Sequence, residues 1–443
     1  MASTYIYRAS GTPTSTRKFT FSFWVKKSGQ GADQFIVSSF TDANNRLHCA
    51  FDSNDRFDFI AKVSGSNIIR TNPDMLFRDS TAWYHIVLNV DTTQSTAADR
   101  SKVYVNGVEQ TDFSSGNKSN PSQNADVNIS GDHFIGAYDN GGSPSLFLDG
   151  CLAHVHYTDG YTYAASTFGE TDSTSGIWKP KTAPSVTYGT NGFFLKFQNS
   201  GNLDLDSSGN NLSFTTAGTL TQNIDTPDNN FATLNPLTLL VSDSFSSVTT
   251  GNLTALTTSG SNWGTILSTL GDSSGKYYFE AKLISSGSNC IIGAVDINNQ
   301  RQNDDSQWYI GQDSTGQGYQ NNGAASNGGA SYGATYANGD IIGCAMDLDN
   351  NKLYFSKNGV FQNSGVPTSG STGTGAMSLT ADTTYAFALT GYAGTNWNAN
   401  FGQGYFGTTQ VASAGTAPSG GGIFEYDCPT GYQALCTKGI NSF

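Results

Sequence analysis

The residues best suited to binding chemistry are aromatic side chains in polar surroundings. Trp308 and Tyr309 follow the polar run "NNQRQNDDSQ", and Tyr392 and Trp397 flank "AGTN". Sugars stack on exposed aromatic rings, and neighbouring Asn or Asp side chains hydrogen-bond the sugar hydroxyls. We expect these four aromatic residues to lie on polar loops and to contact a ligand. The competing interpretation is that a Trp at a strand end packs in the core.

Catalytic carboxylates are scarce in this chain. A glycosidase needs two carboxylates that face one sugar bond, and strand residues share a face only at even spacings. No two Glu residues are spaced in that way, and Asp347 and Asp349 sit at a predicted turn. The sequence therefore predicts no catalytic residues, with an acid pair assembled from distant segments kept as a less favoured alternative. The four Glu residues are Glu109, Glu170, Glu280 and Glu425.

Histidine chemistry is also weakly indicated. All five His residues precede residue 160, and His154 and His156 are spaced so that they share a strand face. Paired metal ligands can have this spacing, but no metal-ligand phrase surrounds them, so we expect a half-exposed strand face and no metal site. No G-x-S-x-G phrase is present.

Two similar phrases reveal the elements that must position these residues. "KVYVNGVEQ" (102–110) and "KLYFSKNGVFQ" (352–362) each read as a short alternating strand, Asn-Gly and a second strand. Asn-Gly suits the type I′ turn, so each phrase predicts a β-hairpin. A further strand pattern precedes each hairpin, at 83–91 and 340–348. Each phrase therefore belongs to a three-stranded meander, one in each of two separate β domains.

Composition supports an all-β chain with little helix. The 443 residues include 51 Gly, and 12% are aromatic, while helix-favouring Glu is rare. We predict two antiparallel β-sandwich (jelly-roll) domains in tandem, with an ordered connecting extension and a short C-terminal tail. The predicted boundaries are 1–165 for the first sandwich, 166–240 for the extension, 241–408 for the second sandwich and 409–443 for a Gly/Ser/Pro hinge and tail.

The charge and the terminal sequence restrict the partners and the location. The formal net charge is −13, with no basic stripe, which disfavours binding to nucleic acid or to an anionic membrane surface. The first residues lack a signal-peptide pattern and no apolar run reaches membrane-spanning length, so we expect synthesis in the cytoplasm and no membrane insertion. Cys428 and Cys436 flank "PTGYQAL"; a local disulfide and two free thiols both remain open.

Two families resemble the predicted sandwiches. "FSFWVK", "WYHIVL", "VYVNG" and "FLDGCLAHVHYTDG" resemble the laminin-G-like, concanavalin-A-like jelly rolls. "YYFEAKL", "IIGAVD", "GDIIGCAMDLDNNKLYFSKNG" and "NFGQGYF" resemble a SPRY domain. The SPRY resemblance implies a ligand surface formed by loops at one end of the second sandwich. The laminin-G resemblance implies a rim calcium site, for which Asp139 and Asn140 could supply oxygen ligands; an ordinary Asx turn is the favoured interpretation, and no cofactor is otherwise predicted.

Four further phrases resemble virion proteins of tailed phages, especially marine phages that infect cyanobacteria: "FGETDSTSGIWKPK", "YGTNGFFLKF", "DTPDNNFATLNP" and "PTGYQALCTKGIN". The resemblance implies a structural virion protein with a recognition role. Together with the two predicted sandwiches, the acidic character and the missing catalytic pairs, it leads us to expect a non-enzymatic tail fibre or capsid/tail appendage that recognises a host-surface glycan. It also implies contacts with other virion proteins and a homo-oligomer, with a trimer as the first candidate. The alternative is a purely structural decoration or adaptor subunit, and a polysaccharide depolymerase is less favoured.

Overall fold

Short runs of alternating aromatic and β-branched residues form strands throughout the chain, as the sequence predicts. The computed structural model describes residues 3–127, 130–173, 176–238, 245–257, 263–299, 309–311, 316–326 and 329–442. Strands account for 43% of the chain and helices for 6%, which confirms the all-β class with antiparallel sandwiches in tandem. The chain divides into two units, Met1–Gln222 and Asn223–Phe443.

The first unit contains short and long strands with one helical turn, α1 (Ala165–Phe168), and a 3₁₀ turn at Ala97–Arg100. Its strands are β1 (Tyr5–Arg8), β2 (Lys18–Lys27), β3 (Gln34–Asp42), β4 (Asn45–Phe51), β5 (Phe57–Val63), β6 (Ser66–Thr71), β7 (Trp83–Asp91), β8 (Ser101–Val105), β9 (Val108–Glu109), β10 (Lys118–Ser119), β11 (Asp132–Ile135), β12 (Gly150–Asp159), β13 (Gly169–Thr171), β14 (Trp178–Pro180), β15 (Phe193–Leu195) and β16 (Thr215–Ala217).

These strands form a sandwich of two main sheets. Over the described residues, one sheet has the order β10-β6-β5-β4-β3-β11-β1-β16 and the other β15-β12-β2-β7-β8-β9. Every second residue of β2 and β7 enters the core between them, as their period of two predicts. The core residues from these two strands are Phe19, Phe21, Phe23, Val25, Tyr84, Ile86, Leu88 and Val90.

A segment after β12 covers the outer face of the six-stranded sheet. Phe168 and Val87 pack together there, with Tyr163 and Val186 against them. Two hydrogen bonds fix the start of the segment, because Tyr163 N–H donates to Thr20 Oγ1 and its carbonyl accepts from Asn89 Nδ2. We call residues 161–190 the first cover.

The second unit is a separate sandwich with one C-terminal helical turn, α2 (Thr437–Ile440), and 3₁₀ turns at Pro236–Thr238, Ile297–Asn299 and Pro367–Thr372. Its strands are β17 (Phe245–Thr249), β18 (Thr254–Thr257), β19 (Trp263–Asp272), β20 (Lys276–Ser285), β21 (Cys290–Asp296), β22 (Gly316–Gln320), β23 (Ile341–Asp347), β24 (Lys352–Lys357), β25 (Val360–Phe361), β26 (Met377–Ser378), β27 (Tyr385–Tyr392), β28 (Asn396–Asn400), β29 (Tyr405–Phe406), β30 (Thr409–Gln410) and β31 (Gln433–Ala434).

Two sheets enclose the core of this unit as well. The larger follows β17-β18-β28-β20-β23-β24-β25, with β26 beside β24, and the smaller follows β19-β27-β21-β22. Tyr277, Phe279, Ala281 and Leu283 of β20 all enter the core, as their alternation predicts.

The C-terminal residues are part of the second sandwich. Strand β31 pairs in parallel with Tyr277 and Tyr278 of β20, beyond the point where β28 ends. Leu435 belongs to the main core, while Phe424, Tyr432 and other residues form a second cluster on the outer face of the large sheet. The predicted hinge and tail at 409–443 therefore fold onto their own unit, and we call residues 409–440 the second cover.

The observed boundary also differs from the predicted extension at 166–240. Up to Gln222 this segment belongs to the first unit, because β15 pairs with β12 and β16 pairs with β1. From Asn223 onward it belongs to the second unit, where Phe231 and Leu234 are buried. The predicted extension is therefore divided between the two units at Gln222.

Both predicted hairpins are present with the predicted turn. Asn106 and Gly107 have φ angles of 48° and 82°, and Asn358 and Gly359 have the same two values. Positive φ at both central residues is the type I′ signature. In each case the Asn side chain also accepts a backbone hydrogen bond from the neighbouring strand, from His85 N–H in the first unit and from Ile341 N–H in the second.

Candidate functional site

Three half-buried aromatic side chains lie together at one end of the small sheet of the second unit. Trp263 begins β19 and pairs across the sheet with Tyr392, the last residue of β27. The ring centroids of Trp263 and Tyr392 are 5.2 Å apart, and those of Trp263 and Tyr309 are 4.9 Å apart. We call these three residues the aromatic trio; each is half-buried.

An apolar cluster supports the aromatic trio. Trp263 and Tyr309 pack on a small apolar cluster that includes Leu267 and Ile310 on the outer face of the small sheet. Beside them the Oγ1 atoms of Thr265 and Thr390 lie 2.9 Å apart and share a hydrogen bond. The rings therefore rest on packed neighbours, and contacts that are already formed in this way lower the entropic cost of binding a ligand.

The hairpin between β27 and β28 fixes Tyr392 in particular. Thr395 Oγ1 donates to the Tyr392 carbonyl at 2.8 Å, and Thr395 N–H donates to Thr257 Oγ1 at 2.8 Å. Ala393 and Gly394 turn the chain with φ angles of 48° and 83°. This turn lets Tyr392 remain at the surface while the chain reverses direction.

The four predicted aromatic residues have different surroundings. Tyr309 and Tyr392 are brought to the same surface, with Trp263 between them. Trp308 lies outside the described residues. The expectation of a loop position is wrong for Trp397, which lies within β28, is fully buried and donates its Nε1–H to the Thr390 carbonyl at 3.1 Å. Trp397 therefore offers no ring face to a ligand.

Sequence reasoning missed Trp263 and misplaced Trp397. The signal for Trp397 was present, because "NWNANF" alternates and puts Trp397, Ala399 and Phe401 on the core side. Trp263 starts an alternating run, but only the pairing of β19 with β27 brings it beside Tyr392. A single sequence does not contain that pairing.

The predicted calcium ligands lie in the loop after β11 in the first unit. The Asp139 carboxylate is buried, and its Oδ1 accepts the Gly142 N–H at 2.8 Å, while Asn140 is exposed. This carboxylate stabilises its own turn, which is the Asx-type arrangement that the sequence favours. No group of three or more His, Cys, Asp or Glu side chains in the described part of the chain is placed to hold a metal ion.

A serine and a histidine in contact beneath the first cover invite a catalytic interpretation. Ser22 Oγ and His85 Nε2 are 2.9 Å apart, and Trp178 Nε1–H donates to His85 Nδ1 at 2.9 Å. Because Nδ1 accepts a hydrogen bond, the proton of the neutral ring sits on Nε2 and is donated to Ser22. His85 therefore cannot accept the serine proton, and burial lowers its pKa to about 3.

The structure brings two distant glutamates together in the second unit. The Glu280 carboxylate is completely buried and accepts the N–H groups of Glu425 and Tyr426 and the hydroxyl of Tyr278. Burial raises the pKa of Glu280 to about 7. A raised pKa suits a general acid, but Glu280 lies beneath the second cover, where it anchors the backbone of that cover.

The six cysteines, including Cys428 and Cys436, are free thiols. Burial raises the pKa of both groups, so neither is activated as a thiolate. Among the described residues, no helix combines the length and the apolar character that crossing a bilayer requires.

Comparison with known proteins defines the class of each unit. Residues 2–163 match the concanavalin A-like lectin/glucanases superfamily (Laminin_G_3), and residues 276–401 match the SPRY domain. The chain therefore carries a concanavalin A-like domain followed by a SPRY domain, as the sequence resemblances implied. The two domains are of kinds that serve in binding and recognition.

Individual relatives are more distant. A Drosophila melanogaster Ran-binding proteins 9/10 homolog is 37% identical over 95 residues, which is 20% of this chain and only 9% of that protein. Among solved structures, the SPRY domain of human HERC1 matches 38% of this chain and 96% of its own, at 16% identity and a TM-score of 0.27. A heptameric SAP-like pentraxin from Limulus polyphemus matches 49% of this chain and 89% of its own, at 16% identity and a TM-score of 0.31.

Proposed function

We propose that this protein is a non-enzymatic structural component of a tailed-phage virion, a tail fibre or a capsid/tail appendage, that recognises a glycan on the host surface. The observation that carries glycan recognition is the aromatic trio, three half-buried aromatic residues that pack together on an apolar cluster. The virion assignment is supported by the sequence phrases that resemble phage proteins. The binding class of both domains agrees with a recognition role.

The aromatic trio would bind sugar by stacking and hydrogen bonding. The apolar face of a pyranose ring packs on Trp263 or Tyr392, and its hydroxyls bond to tyrosine hydroxyls and to amide or hydroxyl groups of the nearby turns. Such a site is weak by itself, because ordering a flexible saccharide costs free energy that a few contacts offset only in part. Many copies on one virion multiply weak sites through avidity, which is also why we propose a homo-oligomer, with a trimer as the first candidate.

Two observations support a non-enzymatic protein. Glu280 is sealed beneath the second cover, and the proton of His85 is held on the nitrogen that faces Ser22. A depolymerase would need an acid pair open to substrate. A reducing-sugar assay on host envelope polysaccharide checks this directly: steady release of reducing ends by the purified protein would overturn the non-enzymatic proposal.

The alternative is a decoration or adaptor subunit that binds only other virion proteins. The adaptor alternative is supported by the exposed apolar tip of each hairpin, which another protein could cover. Val108 is 65% exposed and Val360 is 68% exposed. Mass spectrometry of particles stripped stepwise would show whether the protein leaves with the tail or with the shell. Release with the shell, together with no cell binding, would favour the adaptor.

The deciding experiment measures binding of the full chain, clustered on fluorescent beads, to candidate host cells. We expect binding that host polysaccharide competes away. W263A and Y392A should each weaken it at least tenfold, because each removes a stacking ring. Tyr405→Ala is the matched control, since Tyr405 is another half-buried tyrosine of the same unit. Equal binding by all variants would exclude the aromatic trio as the site.

A further inference from the structure

The outer face of the eight-stranded sheet in the first unit lies away from the first cover. The loop after β11 packs on the middle of this face, where Ser38 is buried and donates its hydroxyl to the Ala137 carbonyl, and half-buried residues remain on either side of that loop. Strand register defines this face. Ile6, Ile135, Val37, Cys49 and Phe59 align across the sheet and all belong to the core. The next row therefore points outward, and its members are Tyr7, Phe134, Ser38, His48, Ile60 and Arg70.

Aromatic rings occupy one side of this outer face. Tyr7 stacks on Phe134 with centroids 5.5 Å apart and ring planes 11° apart, and Tyr5 stacks on Phe147 at 6.0 Å. Tyr5 and Tyr7 are half-buried. No hydrogen bond joins the hydroxyl of Tyr5 or Tyr7 to another described residue. These two phenol groups are therefore available to a ligand.

A pair of cations occupies the other side. Arg46 of β4 lies directly opposite Lys62 of β5. Like charges directly opposite one another destabilise a sheet, and within the described ranges neither side chain has a carboxylate partner. Lys62 Nζ donates to the Ala43 carbonyl, and the Arg46 guanidinium lies 5.8 Å from the ring centre of Tyr138. A chain with net charge −13 thus places two uncompensated positive charges side by side.

We propose that Tyr5, Tyr7, Arg46 and Lys62 form a second glycan site, specific for an acidic saccharide. An acidic group of the ligand would lie between Arg46 and Lys62, where it removes their mutual repulsion, and a sugar ring would stack at Tyr5 and Tyr7. The proposal deepens the proposed glycan recognition by adding a ligand class and a second location.

The dimensions and the neighbouring charges fit a short oligosaccharide. Three strand spacings, about 14 Å, separate β4 from β1, so a ligand that contacts both sides must be an oligosaccharide that passes over the loop after β11. The acidic neighbours are otherwise engaged or displaced. Asp42 accepts hydrogen bonds from the backbone of Asn44 and Asn45, Asp58 pairs with Arg70 at 3.5 Å, and the exposed Asp132 lies two strands from Arg46.

The test uses the full chain, clustered on a biosensor, against immobilised polygalacturonate, alginate and hyaluronan. Each polymer is also presented in its carboxyl-reduced form. We expect binding to at least one acidic polymer that weakens at least tenfold on carboxyl reduction and falls with rising salt. R46Q/K62Q should lose this binding at least tenfold. The matched control K102Q/K179Q removes the same charge from lysines that are already paired with carboxylates, and should bind normally.

Several outcomes would overturn the inference. These are no binding to any acidic polymer, equal binding to the reduced forms, or wild-type binding by R46Q/K62Q. Light scattering tests whether a second copy of the chain occupies this face instead. If R46Q/K62Q changes the oligomeric state, the face is a contact between copies of the chain. The same variants distinguish an error in this second site from an error in the proposed glycan recognition. If W263A/Y392A loses host binding while R46Q/K62Q keeps it, only the second site is wrong.

Discussion

The two hairpins with similar sequences share the same turn structure and the same kind of aromatic contact, although they belong to different domains. In each hairpin, the side chain of the turn Asn accepts a hydrogen bond from a backbone N–H of the adjoining strand. The Gly that follows packs against an aromatic ring from a later segment of the chain. A Cβ atom on Gly107 would lie 2.9 Å from the Trp178 ring, and one on Gly359 would lie 2.6 Å from the Tyr426 ring. Trp178 belongs to the first cover and Tyr426 to the second.

The covers differ in the polar group that anchors them. In the first unit the anchor is a layer of neutral histidines, with Trp178 bonded to His85 and Tyr188 hydroxyl 2.9 Å from His156 Nδ1. In the second unit it is the buried carboxylate of Glu280, which holds the backbone of Glu425 and Tyr426. The comparison shows that a shared hairpin does not dictate the chemistry above it. It also predicts that the two units respond differently to truncation and to pH.

The largest expected effect is unfolding of the second unit when residues 409–443 are deleted. The deletion removes Phe424, Tyr432, Leu435 and β31, all buried. Losing these three buried large side chains costs about 5–9 kcal/mol, which is comparable with the whole free energy of unfolding of a typical domain, about 5–15 kcal/mol. Hydrogen exchange should show the second unit unprotected and the first unit unchanged. Native-like protection in the second unit would mean that the second cover is dispensable.

Acid should destabilise the first unit. Burial lowers the pKa of His85 and His133 to about 3 and that of His156 well below its usual value. The unfolded chain binds protons near pH 6.5, so stability is lost as the pH falls below that value, at about 1 kcal/mol per histidine per pH unit. Protection of the first unit should fall between pH 6.5 and 5, before most carboxylates titrate. A flat profile there would show that these rings accept protons in the folded state.

The second unit should show the opposite slope over part of that range. Burial raises the pKa of Glu280 to about 7 from an ordinary value near 4.5. A raised acid pKa stabilises the folded state at low pH, and this stability is lost as the pH rises from about 4.5 to 7, by roughly 3 kcal/mol in total. E280Q should flatten the slope, whatever its effect on stability at one pH. An unchanged slope in E280Q would assign the titration to another group.

The strands and the Asn-Gly turns of both units could be predicted from the sequence, but the contacts of the two covers could not. The strand alternation in β2, β7 and β20 and both Asn-Gly turns are local signals, and the structure follows them. The covers are built from isolated aromatic residues such as Trp178 and Tyr426 among Gly, Ser and Pro, where no periodicity marks an inward face. Their burial depends on tertiary contacts that span the domain.

The candidate sites show the same limit. Tyr309 and Tyr392 were identified by type and polar context, but their partner Trp263 is brought in by pairing of β19 with β27. Arg46 and Lys62 are 16 residues apart in sequence, and only the register of β4 on β5 makes them neighbours. The boundary after Gln222 was missed because β15 and β16 have three residues each, too few to show a period.

The smallest expected effect is also the sharpest test of the shared device. Gly107→Ala and Gly359→Ala each force a non-glycine residue to a φ of 82° and push against a covering ring, so each should cost roughly 2 kcal/mol of unfolding free energy. The matched controls are Gly116→Ala and Gly339→Ala, which have φ angles of 84° and 94° and no atom within 4 Å of the new Cβ. These controls carry only the backbone strain, about 1 kcal/mol. Chemical denaturation measures the unfolding free energy of all four variants, and the difference between test and control variants gives the contribution of the ring contact. Equal losses in test and control variants would show that Trp178 and Tyr426 move aside freely, and the glycine would then serve the turn alone.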